Sequence, residues 1–407
     1  MRAVPGTGNR ASPGSRLVLL TLLAASSLTV MSGATVAPSL PGLQESFSQV
    51  ENSEILVRLV LTVPALFIAI FAPLAGSLVD RVGRKQVLLY SVILYGIAGG
   101  SGLILDNLYA ILAGRALLGV AVAGVMTSAT ALIADYYSGR ERSHVLGLQA
   151  AFMGFGGVLF LALGGFLAGV DWRGPFAIYV AALVLVPLVA LRLWEPSRQS
   201  AGGSEDGKTR GSVPDAGSTV RLLALLYAMA LVGMVIFYVV PTQLPFYFEG
   251  LLGIGATGAG LAIALMTLCQ SLASLSYERI RARFGYNTIG VLTFALIGVG
   301  YVLIGLADTL PLALLGLAVG GAGVGLLLPN LNNWISSGIP DNIRGRALGG
   351  LTAAIFLGQF LSPLFSQPVG GTLGFGVAFL VAGAVSAAMA ASLVAVGRKL
   401  KLPAIER

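Results

Sequence analysis

A chain of 407 residues that is 56% hydrophobic, only 10% charged and of mean hydropathy +0.88 cannot cover itself with polar groups, because a water-soluble domain uses about 25% charged residues. Its outer solvent is therefore lipid, and its length divides by the roughly 20 apolar residues that cross a bilayer rather than by soluble domain sizes. The formal charge of +8 raises nucleic acid as a partner, and the placement of the cations argues against it. The single cysteine, Cys269, excludes an intrachain disulfide.

Apolar runs at 17–40, 56–79, 86–105, 108–135, 143–169, 174–193, 220–248, 255–277, 288–306, 310–335, 347–369 and 372–396 predict twelve membrane-spanning helices. Arg2, Arg10 and Arg16 ahead of the first run resemble a secretory leader. That run is too long for a leader and eleven more follow, so it reads as an uncleaved first span. The N-terminal tail, the loops after the even-numbered spans and the C-terminal tail hold 22 of the 25 Lys and Arg. Only Arg58, Arg115 and Arg173 fall elsewhere, and the opposite loops show Glu45, Glu51, Glu54, Asp106, Asp171, Glu249 and Asp308. Basic loops stay in the cytoplasm, so both termini are expected there, in the cell (inner) membrane. The positive charge then faces anionic headgroups, and no nucleic acid is needed to explain it. Trp172, Trp194 and Trp334 stand near span ends, as interfacial aromatics do.

The longest polar stretch, 195–219, is rich in Gly, Ser and mixed charge and reads as a flexible linker. It separates an N-terminal six-helix bundle at 1–194 from a C-terminal one at 220–407. A shift of 202 lays Gly114 on Gly316, Gly119 on Gly321, Arg142 on Arg344, Gly147 on Gly349 and Gly83 on Gly285. Two related halves facing each other across a membrane point to a secondary transporter with its site at the midplane.

The segment GSLVDRVGRK (76–85) gathers one carboxylate and three cations between two apolar runs. It resembles the major facilitator superfamily signature G-x-L-x-D-R-x-G-R-K at every fixed position, most closely in the twelve-span drug/proton antiporter-like branch. The fold this implies is all-α, with two pseudo-symmetric six-helix bundles. The resemblance also implies a latch in which Asp80 meets a helix N-terminus of the other half and Arg84 meets an acid at the end of span 4, here Asp135. Gly76 and Gly83 permit close approach and a tight turn, with Arg81 between them. A basic loop that only sets topology would explain Arg81 and Lys85 but neither Asp80 nor the paired glycines. The second copy, ERIRARFGYN (278–287), keeps Gly285 and lacks the Asp.

In span 4, GRALLGVAVAG (114–124) resembles the superfamily's R-x-x-x-G motif and sets Arg115 about two turns into the span. A cation there must face the bundle interior. It serves proton-linked gating or substrate charge, or else it bonds carbonyls and stiffens spans 1 and 4; the sequence leaves both open. Span 5 departs from the antiporter signature G-x-x-x-G-P-x-x-G-G. Gly164 and Gly165 remain, Phe160 and Leu161 replace Gly-Pro, and a break is expected at Pro363 of span 11 instead.

Transport needs polar groups facing a cavity. The candidates are Ser32 and Thr35 in span 1, Gln149 in span 5, Tyr238 and Gln243 in span 7, Gln270 in span 8, Asn330 and Asn333 in span 10, and Gln359 in span 11. For each Ser or Thr the plainer reading is a hydroxyl bonded to its own backbone or to a neighbouring helix. No Asp or Glu lies in the middle of a span, which favours a neutral, amphipathic or anionic substrate over a strongly cationic one. No metal cluster, phosphate-binding loop or nucleophile triad is visible, and His144 sits in the basic loop after span 4. Neither cofactor nor enzymatic activity is expected. The expectation is a monomeric exporter of small amphipathic compounds by alternating access, with protons as a possible second partner. Uptake or uniport of a metabolite by the same fold is the alternative. A non-transporting receptor or scaffold would leave the latch segment without a purpose.

Overall fold

The computed structural model describes residues 16–196 and 216–399. Arg2, Arg10, most of the expected linker and the last eight residues lie outside them. Twelve apolar helices account for the twelve expected spans: α1 (Arg16–Ala34), α2 (Ser53–Val82), α3 (Arg84–Gly100), α4 (Leu108–Tyr136), α5 (Gly139–Ala168), α6 (Phe176–Arg192), α7 (Ala216–Leu252), α8 (Ala256–Leu275), α9 (Tyr286–Gly305), α10 (Leu310–Gly338), α11 (Asp341–Leu373) and α12 (Phe375–Lys399). No strand forms among the described residues. Eleven are long and apolar enough to cross a membrane, the first when extended to Ser46, and α6 is the shorter one. The face that carries 76–85, the α4–α5 and α10–α11 turns and the start of α7 is termed here the basic face, and its opposite the far face.

Prolines explain where the helices depart from regularity. The first span breaks after Ala34 into a 3-10 turn at Ala37–Ser39 and a short helix at Leu40–Ser46, each with a proline in its first turn. Within α6, Pro187 has no N–H for the Leu183 carbonyl, and a 3-10 turn occupies Ala182–Val184. The break expected at Pro363 does not occur, because α11 runs through Pro363 and Pro368, and α7 likewise runs through Pro241 and Pro245. The carbonyl that Pro241 leaves without a helical donor, that of Phe237, accepts instead from the Tyr301 hydroxyl at 3.1 Å.

The doubling read from the sequence is present in the packing. A Cβ on Gly119 would stand 2.4 Å from the carbonyl oxygen of Pro64, and one on Gly321 2.5 Å from that of Met266. Gly114 approaches the carbonyl of Ala98 and Gly316 that of Gly300. All four pairs obey the same shift of 202, so α2–α4 and α3–α4 are repeated as α8–α10 and α9–α10.

Across the halves, α5 packs on α8 and α2 on α11. The α5–α8 contact is backbone on backbone. Gly165 and Gly260 admit no side chain between them, and Thr257 donates to the Gly165 carbonyl at 3.2 Å. That contact lies at the far face. At the basic face a Cβ on Gly76, Gly147, Gly345 or Gly349 would meet nothing within 4 Å outside its own helix. Among the described residues, the α5–α8 backbone contact and the Thr257 bond that cross the halves lie at the far face. Because α4 and α10 both rest on the carbonyls of a neighbouring helix, Gly321→Val should destabilise the fold by about 1–3 kcal/mol through overpacking. Thermal unfolding in detergent, with Gly349→Val at an open position as the control, reads this as a lowered Tm for the first variant only.

Candidate functional site

Between the halves, at the level of the helix midpoints, lies a crevice of about 590 Å³. Its walls are Leu66, Ala69 and Ile70 of α2, Tyr227, Ala228, Leu231 and Val232 of α7, and Ala353, Ala354 and Leu357 of α11. The volume is that of a typical small-molecule pocket. The wall is apolar apart from Tyr227, whose hydroxyl is already donated to the Ala347 carbonyl at 3.0 Å. Such a surface attracts an apolar body by desolvation and offers few polar contacts.

None of the nine polar residues expected to face a cavity lines this crevice. Ser32 and Thr35 are buried, and their hydroxyls donate to the carbonyls of Thr29 and Met31 at 2.8 and 2.7 Å. Gln149 ties α5 to α1 through Ser26 at 2.8 Å. Tyr238 packs against Gly33 of α1, and half-buried Gln270 lies backbone-first against Gly325. Asn330 donates to the Tyr286 carbonyl at 3.0 Å and accepts from the Tyr277 hydroxyl at 3.4 Å, and the Asn333 carbonyl accepts from Ser337 at 2.8 Å, both near the basic-face end of α10. Gln359 is buried on α11. Gln243, fully buried, belongs to the far-face closure.

That closure centres on Arg58, which is only 1% exposed. Its Nε donates to Gln243 at 2.9 Å across the halves, its Nη1 donates to Gln44 and to the Glu54 carbonyl, and its guanidinium lies 3.9 Å above the Phe246 ring. Gln243 in turn donates to Ser366 at 3.0 Å, and Gln367 donates to the Glu54 carboxylate at 2.9 Å. The charge tally singled out Arg58 only as a cation on the wrong side, and that was the signal available.

Arg115 is completely buried. Its Nε donates to the Val60 carbonyl at 2.9 Å, and its Nη2 to the Ser32 carbonyl at 2.7 Å and the Tyr179 hydroxyl at 3.2 Å. Both carbonyls are orphans. Pro64 lacks the N–H that Val60 would meet, and Ser32 lies in the last turn of α1, where carbonyls have no intrahelical donor. Arg115 thus joins α1, α2, α4 and α6 by answering backbone groups that lipid cannot. The third displaced cation, Arg173, does the same for the carbonyls of Gly102, Leu103 and Leu105, beside Asp106.

At the basic face, Arg84 pairs with Asp135 at 2.7 Å, joining α3 to the end of α4. Asp80 and Arg81 are exposed at the C-terminal end of α2, and Gly76 lies one turn before them. Gly83 has φ +120°, a conformation suited to glycine. Its bare Cα makes room for Glu195, whose carboxylate accepts from the backbone N–H groups of Arg84 and Lys85 at 2.7 and 2.9 Å. An anion across the first turn of α3 satisfies two orphan donors and the helix dipole. Trp194 stacks on Tyr136 at 4.1 Å, so the first residue of the expected linker is tied to the N-terminal half. Sequence reading missed this cap because 110 residues separate the partners.

A family model described as Major Facilitator Superfamily matches residues 22–258 and 244–406. Among curated relatives, the class C tetracycline resistance protein of Escherichia coli is 29% identical over 370 residues, covering 86% of this chain and 89% of the relative. The bacillibactin exporter of Bacillus subtilis is 27% identical over 354 residues, covering 82% and 85%. Among solved structures, a D-xylose-proton symporter superposes with a TM-score of 0.77 at 16% identity, covering 93% of this chain and 96% of that one. An inward-facing bacterial homologue of the lysosomal transporter Spinster superposes with a TM-score of 0.72 at 18% identity, covering 94% and 95%.

Replacing Arg115 by Met should leave the Val60 carbonyl buried and unpaired, at about 1–3 kcal/mol, and the Ser32 carbonyl with only the Tyr179 hydroxyl at 3.2 Å. A Tm unchanged from wild type in detergent would show that the guanidinium is not what holds α1, α2 and α4 together.

Proposed function

Because this chain belongs to the major facilitator superfamily, we propose that it exports small amphipathic compounds by rocking its two halves about the midplane crevice. The observation that carries this reading is the crevice itself: apolar, between the halves and sized for a small organic molecule. Relatives named for tetracycline resistance and bacillibactin export support the outward direction. A buried carboxylate would select cations, and the acids of the spans, Glu54, Asp135 and Glu249, stand at helix ends, so neutral compounds fit best.

The basic face is cytoplasmic in this proposal, with both termini there and the protein a monomer in the cell membrane. Segment 76–85 is then the cytoplasmic latch. It closes when the cytoplasmic ends approach, with the Arg84–Asp135 pair and the Glu195 cap holding the α2–α3 turn in position. Protons are the proposed counter-ion. The lost Gly-Pro of α5 and the position of the acids favour a second reading, uptake or uniport without protons.

In everted vesicles made after overexpression, a neutral lipophilic dye should accumulate in the lumen. Ala353→Phe should slow that flux about tenfold by filling the crevice, and Asp80→Asn should slow it with insertion unchanged. An unaffected rate in Ala353→Phe would remove the crevice from the pathway, and in Asp80→Asn would remove the latch. Antiport makes the lumen more alkaline as dye enters, whereas a flat pH trace with active flux identifies uniport.

A further inference from the structure

The far-face closure has an asymmetry that its hydrogen bonds alone do not require. Both of its charges, Arg58 and Glu54, come from α2 of the N-terminal half, while the partners that cross the interface, Gln243 of α7 and Gln367 of α11, are neutral amides of the C-terminal half. Arg58 is 1% exposed and its hydrogen-bond acceptors are amide and backbone oxygens. Glu54 gives its carboxylate to Gln367 and only its carbonyl to Arg58. Yet Glu54 and Arg58 are four residues apart on one helix, the spacing at which a Glu and a following basic residue meet on the same helix face. In this state each charge takes a hydrogen bond to an amide of the other half.

We propose that Glu54 and Arg58 are the positioning pair of the far-face gate, exchanging two cross-half bonds to Gln243 and Gln367 for one ion pair along α2 when the gate opens. Separation of the halves strips both amides and lifts Phe246 and Phe375 from the guanidinium face. Arg58 keeps its own-half acceptors, Gln44 and the Glu54 carbonyl, and the guanidinium and carboxylate freed from the other half then pair with each other along α2. Gln243 and Gln367 are themselves partly provided for, since Gln243 keeps Ser366 within its own half. A transporter needs two end states of similar free energy, because a gate that only gains bonds on closing would stay shut. An exchange of partners meets that requirement, and it gives the displaced cation Arg58 a role in the cycle as well as in one state. The inference rests on the alternating-access reading and is tested by a distance rather than by flux.

Spin labels at Val170→Cys and Leu251→Cys, exposed far-face positions on opposite halves, report gate opening by pulsed electron resonance in full-length protein in nanodiscs, with Cys269→Ser as background. Gln243→Leu should raise the open-to-closed ratio about tenfold, the size of one charge-assisted hydrogen bond. Gln243→Glu, which puts a carboxylate against Arg58 across the interface, should shift it towards closed. Glu54→Gln is decisive. It keeps an amide facing Gln367 but removes the charge that Arg58 pairs with on opening, so the ratio should fall. A simple clamp predicts the opposite sign, because Glu54→Gln would only weaken the closed state. Opening in Glu54→Gln, or no shift in either Gln243 variant, overturns the exchange. Flux that persists alongside such a result would leave the transport reading standing.

Discussion

Inside a bilayer no water is available to answer a backbone carbonyl, so each one that a proline or a helix end releases must find a donor within the protein. Much of this structure follows from that constraint. Pro64 releases the Val60 carbonyl and the end of α1 releases that of Ser32, and one buried arginine takes both. Pro241 releases the Phe237 carbonyl, and Tyr301 takes it. Arg173 collects three carbonyls from the α3–α4 turn. The cations that break the charge rule of the loops thus all donate to backbone or amide oxygens. Placing them costs free energy on insertion, and the helices they join are the ones whose relative positions define each half.

With the halves made rigid in this way, the remaining freedom is between them. Gly165 against Gly260 lets α5 and α8 approach without interposed side chains, and two amide-to-charge bonds close the same face. Nothing comparable packs against Gly76, Gly147, Gly345 or Gly349 at the other face. On the proposed reading, the two halves, touching through small residues at the far face, rock as units about that contact. The apolar crevice lies where the two halves face each other.

The fold was largely legible in the sequence, because each span is a long apolar run and because the loops carry their charge on one side. The half-chain repeat was legible too, and the close approaches at Gly119 and Gly321 give its shift a physical cause. The site was less so. Polarity within a span marks a cavity only if the backbone does not claim it first, and the Ser32 and Thr35 hydroxyls go to their own helix. Gln243 was expected to face a cavity, and its partner in the structure, Arg58, is 185 positions away. The crevice is built from Leu, Ala, Ile and Val, residues that look the same in sequence whether they face a ligand, lipid or a neighbouring helix. Glu195 was hidden for a related reason, since a cap is defined by a neighbour in space and its segment reads as linker.

The account depends on the crevice being open to one face of the membrane at a time. Ala353→Cys in a Cys269→Ser background, probed with a membrane-impermeant maleimide in everted and right-side-out vesicles, tests this directly. Labelling is expected readily from the basic face, and from the far face only while transported compound drives turnover. Equal rates from both faces regardless of turnover, or no labelling from either, would contradict it.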